Sequence, residues 1–219
     1  VRLVVPYPPG GASDITARLL APEFSTALGQ SFVVENRGGA ASITGTQAVA
    51  TAPADGYTLG VVDTAFLVNP GLFGSRLPYD TRRDFTPVSL LVRASLVLVV
   101  PASAPWRTVA ELVAAAKAKP GEVTFGSAGN GTAVHMAGEQ FRQAAGFTHL
   151  HVPYRGGGPM IADLLAGRVV TAFGTVPAVA EHVRAGRLRA LAVTGAVRSS
   201  LLPEVPTMAE AGYPQVDAA

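Results

Sequence analysis

Leu3-Val4-Val5-Pro6-Tyr7-Pro8-Pro9-Gly10-Gly11-Ala12-Ser13-Asp14 carries a strand, a turn and the start of a helix in one short stretch. Leu3-Val4-Val5 is an apolar run, the prolines and glycines punctuate it, and Ser13 and Asp14 favour a helix N-terminus. The second half repeats the pattern: Val123-Thr124-Phe125 leads into Gly126-Ser127-Ala128-Gly129-Asn130-Gly131-Thr132. Such a turn aims free backbone N–H groups, at the positive end of a helix, past the end of the strand. That arrangement binds anions without a charged side chain. Two such turns point to an anionic ligand gripped from both sides.

Outward from these turns the chain alternates strands and helices. In the first half the pattern predicts strands over 2–5, 31–34 and 57–62, with helices over 15–28, closed by Gly29, and 43–52, stopped by Pro53. Residues 63–85, with Pro70, Gly71, Gly74 and Pro78, read as irregular. Residues 85–91 and 95–100 read as two strands through the middle. A helix over 109–119 follows, ended by Pro120-Gly121. The second half predicts strands over 123–125, 149–152, 169–173 and 188–193, helices over 133–145, 159–166 and 178–185, and a short helical piece around 208–211. This alternation implies parallel sheets covered on both faces. The expected fold is α/β with two lobes and a ligand cleft beyond the carboxyl ends of the strands. Residues 1–99 form lobe 1, 100–194 form lobe 2 and 195–219 return toward lobe 1, with hinges at 97–103 and 192–197.

Composition narrows the function. The chain has 219 residues, enough for one large or two small domains with a real core. Hydrophobic residues make up 48% and charged residues 15%, the balance of a globular chain rather than a disordered one. The net charge is +2 and the pI about 9.2, but the basic residues are scattered. Arg82-Arg83 and Arg184/Arg187/Arg189 are the nearest thing to clusters, and they read as solvated surface rather than a nucleic-acid face. With no cysteine, disulfides, thiolate metal sites and cysteine nucleophiles are excluded. The longest apolar run, 94–102, is too short to span a bilayer. The chain starts directly on a strand, so any leader is expected to have been removed.

The second turn fails the tests for better-known motifs. Gly126 and Gly131 have P-loop spacing, but Thr132 stands where the lysine belongs. After Gly129 and Gly131 the third position of a dinucleotide fingerprint is Val134. Ser127 has Gly129 after it but Phe125 two residues before it, so it is not a nucleophile elbow. What survives is an anion cradle whose donors are Ser127, Thr132 and the N–H groups of 128–132. Asp14 either receives a ligand amine or braces its loop. Tyr7 either reaches the ligand with its hydroxyl or packs as a core aromatic. His149 and His151 share a strand face without the carboxylates of a metal site, and core or surface roles are expected for them. His135, in the first turn of its helix, either donates to a carboxylate or packs. No paired catalytic carboxylates or Ser/His/Asp constellation is present.

Several segments together resemble one family. They are Val4 to Gly11 with Asp14 and Ala17-Arg18; Val34-Glu35-Asn36-Arg37; Ala54-Asp55-Gly56-Tyr57-Thr58-Leu59; and Pro78-Tyr79-Asp80 with Asp84-Phe85-Thr86-Pro87-Val88. Phe125-Gly126-Ser127, His151-Val152-Pro153-Tyr154, Leu191-Ala192-Val193-Thr194, Leu202 to Thr207 and Glu210 to Pro214 complete the set. The chain resembles the Bug (TctC-type) receptors, periplasmic solute-binding proteins of tripartite tricarboxylate transporters. The resemblance implies a periplasmic-binding-protein (type II-like) fold and no enzymatic activity, cofactor or metal. It implies a small organic carboxylate as ligand: a dicarboxylate, a tricarboxylate, an acidic amino acid or an aromatic acid. Membrane transporter subunits are the implied partners, with no nucleic acid, and the location is periplasmic. Members of the family continue past a position like Ala219 with a tail that completes the first lobe, so a C-terminal part is expected to be missing here.

The ligand-binding residues that the resemblance implies are Tyr7, Pro9, Gly10, Gly11, Ala12 and Asp14 in the first loop and Asp63, Thr64 and Ala65 after the third strand. Ser127, Ala128, Gly129, Asn130, Gly131, Thr132 and His135 follow in the second cradle, with Gly174 and Thr175 in a loop after Phe173. Two rival readings stand beside the receptor: a ligand-sensing partner of a signalling receptor, and an α/β enzyme acting on an anionic substrate.

Overall fold

The computed structural model describes residues 1–218. The chain divides into two compact units, Val1–Ser89 and Leu90–Ala219.

The first unit is a three-stranded parallel sheet in the order β2-β1-β3. Its elements are β1 (Arg2–Val5), α1 (Ala12–Leu28), β2 (Val33–Asn36), α2 (Ile43–Ala50), β3 (Thr58–Gly60) and α3 (Thr64–Phe73). Leu3 pairs with Val34 on one side and Leu59 on the other. A central strand has neighbours on both edges and both faces covered, which is why Leu3, Val4 and Val5 are all buried. Leu3 and Val5 pack with Ala17, Ala21 and Val61 in a small core. Gly29 ends α1 in the left-handed conformation, as expected.

The second unit is a five-stranded sheet in the order β6-β5-β7-β4-β8. It contains β4 (Leu96–Pro101), α4 (Val109–Ala118), β5 (Thr124–Ser127), α5 (Ala133–Ala145), β6 (Leu150–Pro153), α6 (Gly157–Leu165), β7 (Thr171–Thr175), α7 (Val176–Arg184) and β8 (Leu188–Val193). Thr108 caps α4 by accepting the Glu111 N–H at 3.2 Å. Past β8 the chain folds back on the sheet: Val193 donates to Pro206 and Met208 donates to Val193, both at 2.8 Å.

Four expectations are corrected. The second sheet is mixed, because β4 runs antiparallel to both β7 and β8. All six residues of β4 are buried, and a strand covered on both faces is an apolar run whichever way it points. Residues 85–91 form no strand, and Val88, Leu90, Leu91 and Val92 are exposed. Residues 64–73, expected to be irregular, are α3, with Pro70 inside it. Residues 208–211 are turns rather than a helical piece. In addition, Arg189, read as solvated, is half-buried and donates to the carbonyls of Ala102, Ala104 and Trp106.

Candidate functional site

In the first unit the loop after β1 is built around Asp14. Its carboxylate is buried and fully used: Oδ2 accepts the Gly10 N–H at 2.8 Å, and Oδ1 accepts Asn36 Nδ2 at 2.8 Å and Arg18 Nε at 3.0 Å. These donors, Arg18 foremost, hold its pKa down at about 2 against the desolvation of burial. Of the two roles expected for Asp14, the structure places it in the brace. Ser13 does not cap α1; Gly11 occupies the N-cap position without a side-chain bond. Pro9, Gly10, Gly11 and Ala12 are exposed. Since the helix ladder begins with Ile15 donating to Gly11, the N–H groups of Ala12 and Ser13 have no acceptor among the described residues.

The loop after β3 meets the first loop through one side chain. The half-buried Tyr7 hydroxyl donates to Asp63 Oδ1, so Tyr7 lies at the end of the sheet with its polar tip engaged. Asp63 caps α3, accepting the Ala65 N–H at 2.9 Å on the same oxygen. Burial raises the pKa of both groups, and the nearby Asp63 charge raises that of Tyr7 further. Thr64 is half-buried and Ala65 buried.

In the second unit the loop 126–132 is closed on itself. Gly129 donates to Ser127 Oγ at 3.2 Å, Thr132 Oγ donates to the Gly129 carbonyl at 2.8 Å, and Gly131 donates to His135 Nδ1 at 3.1 Å. Thr132 also caps α5 by accepting the His135 N–H at 3.3 Å. Gly129 is required here: its φ is +125°, and a Cβ would stand 3.1 Å from the Tyr154 carbonyl. The Ser127 and Thr132 hydroxyls, expected as ligand donors, are therefore committed within the loop. Asn130, at the exposed tip, and Ala133 and Val134, at the start of α5, retain N–H groups without an acceptor among the described residues. Ala128 is half-buried, and its carbonyl accepts the Gly156 N–H at 3.1 Å.

Sequence reasoning missed His151. Its Nε2 lies 2.7 Å from Ser127 Oγ, and its ring stacks on His135 with centroids 4.3 Å apart. Because Nδ1 of His135 accepts a backbone N–H, the neutral ring carries its proton on Nε2. Burial, with His135 and His149 alongside, lowers the His151 pKa to about 4. His149 stacks on Phe125 at 4.8 Å and reaches Glu139 at 3.2 Å. The sequence signal was the His149-x-His151 alternation; what it lacked was the helix that covers that face.

Gly174 and Thr175, expected in a loop, are the last residues of β7, paired with Val97 and Leu96, and α7 follows at once. Gly174 is buried and Thr175 half-buried. Among the described residues no group of three or more His, Cys, Asp or Glu side chains is placed to hold a metal ion, and no helix is long and apolar enough to cross a membrane.

The α/β architecture is that of the periplasmic binding proteins: a solved periplasmic transporter matches 99% of this chain with a TM-score of 0.91 at 38% identity. The family model of the tripartite tricarboxylate transporter family receptor (TctC) matches residues 16–219, and the chain belongs to that family. BugT of Bordetella pertussis is 42% identical over 216 residues, covering 98% of this chain and 66% of that protein. Two solved structures from Rhodopseudomonas palustris are also similar. Rpa4515, with adipate, has a TM-score of 0.87 at 39% identity, covering 99% of this chain and 73% of the other. MatC (Rpa3494), with bound malate, has a TM-score of 0.88 at 28% identity, covering 99% and 74%. Another solved neighbour is a periplasmic binding protein. The family and these neighbours are solute-binding receptors rather than enzymes. The chain spans less than two thirds of the length of the first curated relatives it matches.

Proposed function

We propose that this chain is the ligand-binding part of a periplasmic receptor that captures a small organic carboxylate and delivers it to a tripartite tricarboxylate-type membrane transporter. The observation that carries the reading is that each unit has a glycine turn presenting N–H groups with no acceptor among the described residues, Ala12 and Ser13 at α1 and Ala133 and Val134 at α5. Uncharged donors at helix starts suit a carboxylate that must later be released. The two similar receptors holding adipate and malate support the same ligand class. In the first unit we assign ligand contact to Tyr7, the 9–12 turn and Asp63 to Ala65, with Asp14 as the brace; in the second unit we assign it to the 127–132 loop, His135 and Thr175, with Gly174 supporting them.

A thermal-shift screen tests the reading. Mono-, di- and tricarboxylates, acidic amino acids and aromatic acids are compared with nucleotides. A ligand at 100 times its Kd adds about 2.7 kcal/mol to stability. A shift with one class of carboxylate supports the receptor; a shift with nucleotides alone defeats it.

A further inference from the structure

Asp63 is a carboxylate in a unit that we read as holding a carboxylate ligand, and its surroundings are unusual. Asp14, in the first turn of α1 in the same unit, is buried against an arginine. Asp63 is half-buried and has no cation among the described residues. Its Oδ1 takes both donors, the Tyr7 hydroxyl and the Ala65 N–H, and among the described residues Oδ2 takes none.

Behind Tyr7 the donors are lined up. Ser42 is buried, its hydroxyl lies beside the Tyr7 phenol, and its Oγ is 3.4 Å from Asn69 Nδ2. Asn69 is fully buried and also donates to the Ala41 carbonyl at 2.8 Å. The segment it holds is strained: Ala40, Ala41 and Ser42 have φ of +48°, +54° and +72°. Three successive non-glycine residues in the left-handed region persist only where their surroundings hold them, and such strain gathers at ligand sites. Asn69 donates toward Ser42, and Tyr7, beside Ser42, donates to Asp63. Burial raises the Asp63 pKa, and the two donors on Oδ1 oppose that by favouring the ionised acceptor. A partly desolvated acceptor with an open oxygen calls for a donor.

We propose that Asp63 sets specificity, selecting among small carboxylates those that also carry an ammonium or hydroxyl donor. The inference rests on the carboxylate reading above. An unsubstituted acid brings only negative charge to Asp63, whereas an amino or hydroxy acid brings the missing partner.

Titration calorimetry on the full chain at pH 7 tests this with matched acids: succinate against L-malate and L-aspartate, glutarate against L-glutamate, and adipate against L-2-aminoadipate. In whichever set binds, the donor-bearing acid should bind about tenfold tighter or more. Asp63→Asn, which keeps a helix-capping side chain, should bring the ratio to within about twofold; Asp63→Ser serves if the first variant melts early. Equal or reversed ranking in the wild type, with the acids still binding, defeats the Asp63 inference and leaves the carboxylate reading standing. A reversed ranking is what a protonated, donating Asp63 would give. An unchanged ratio in a folded variant also defeats it. Binding of none of these acids defeats the Asp63 inference, and the wider thermal-shift screen above then decides the carboxylate reading separately.

Discussion

Asp14 and Asp63 are the same side chain put to opposite uses, and each has a measurable consequence. Asp14 is saturated by backbone and side-chain donors, so Asp14→Ala takes the carboxylate from Gly10 and Arg18 and leaves Asn36 Nδ2 only the Tyr7 carbonyl. We expect a loss on the order of 2 kcal/mol in denaturant unfolding at pH 7. Its pKa is lowered in the folded state, so its contribution is present above the unfolded value of 3.8 and fades as pH falls toward about 2. The gap between wild type and variant should therefore close on acidification through that window. His151 has the opposite sign. Its folded pKa, about 4, lies below the unfolded 6.5, so protonation favours the unfolded chain. Stability should fall as pH drops from 6.5 toward 4, and His151→Gln should flatten the melting temperature across that range. An equally steep profile in the variant would place the effect on His135 or His149, the neighbouring rings, rather than on His151. At this scale the sequence was half legible. Asp14 and Asp63 could be read from their turns, but the partners that fix each carboxylate, Asn36 for Asp14 and Tyr7 for Asp63, come from distant parts of the sequence.

Elements were legible where periodicity and punctuation agreed. β1, α1 and the two glycine turns follow from the order of apolar run and glycine, and α5 also from its Thr132 cap. α3 was lost because Pro70 and Gly71 look like a loop, although Asp63 supplied a helix cap and Pro70 sits late enough for six helical residues to precede it. Residues 85–91 show the opposite failure: an apolar run without a partner strand stays irregular. The direction of β4 was beyond reach because pairing partners, not composition, decide it. The packing of α5 on β5 makes a sharp prediction. A Cβ at Gly138 would lie 2.1 Å from Phe125 Cζ, and Phe125 is itself buried beneath His149. Gly138→Ala should destabilise by about 1–3 kcal/mol through overpacking. Gly129→Ala should act differently, weakening ligand binding through the strained turn with a smaller effect on the melting temperature, since its surroundings are not core.

At the scale of the molecule the two units differ in what holds them. The first rests on a small cluster of Leu3, Val5, Ala17, Ala21 and Val61. The second has one continuous core running from Leu96 to Val216. Exposed Ile15, Leu19, Val33, Leu67 and Leu72 add nothing to the first unit's burial. Amide exchange followed by mass spectrometry should show β1, β2 and β3 exchanging well before β4, β5 and β7. Uniform protection across both units would show that the smaller core is not the weaker one. The division into two α/β units was legible from the repeated turn. The unequal cores were not, because an apolar residue on a helix reads the same whether or not anything covers it.

The hydrogen bonds closing 127–132 are all made between groups of the protein itself. Ser127, Gly129, Gly131, Thr132 and His135 already hold one another, so the ordering of this loop belongs to folding rather than to capture. Capture through such a loop should be fast and limited by diffusion and collision geometry, and selectivity between cargoes should show in how slowly each one leaves.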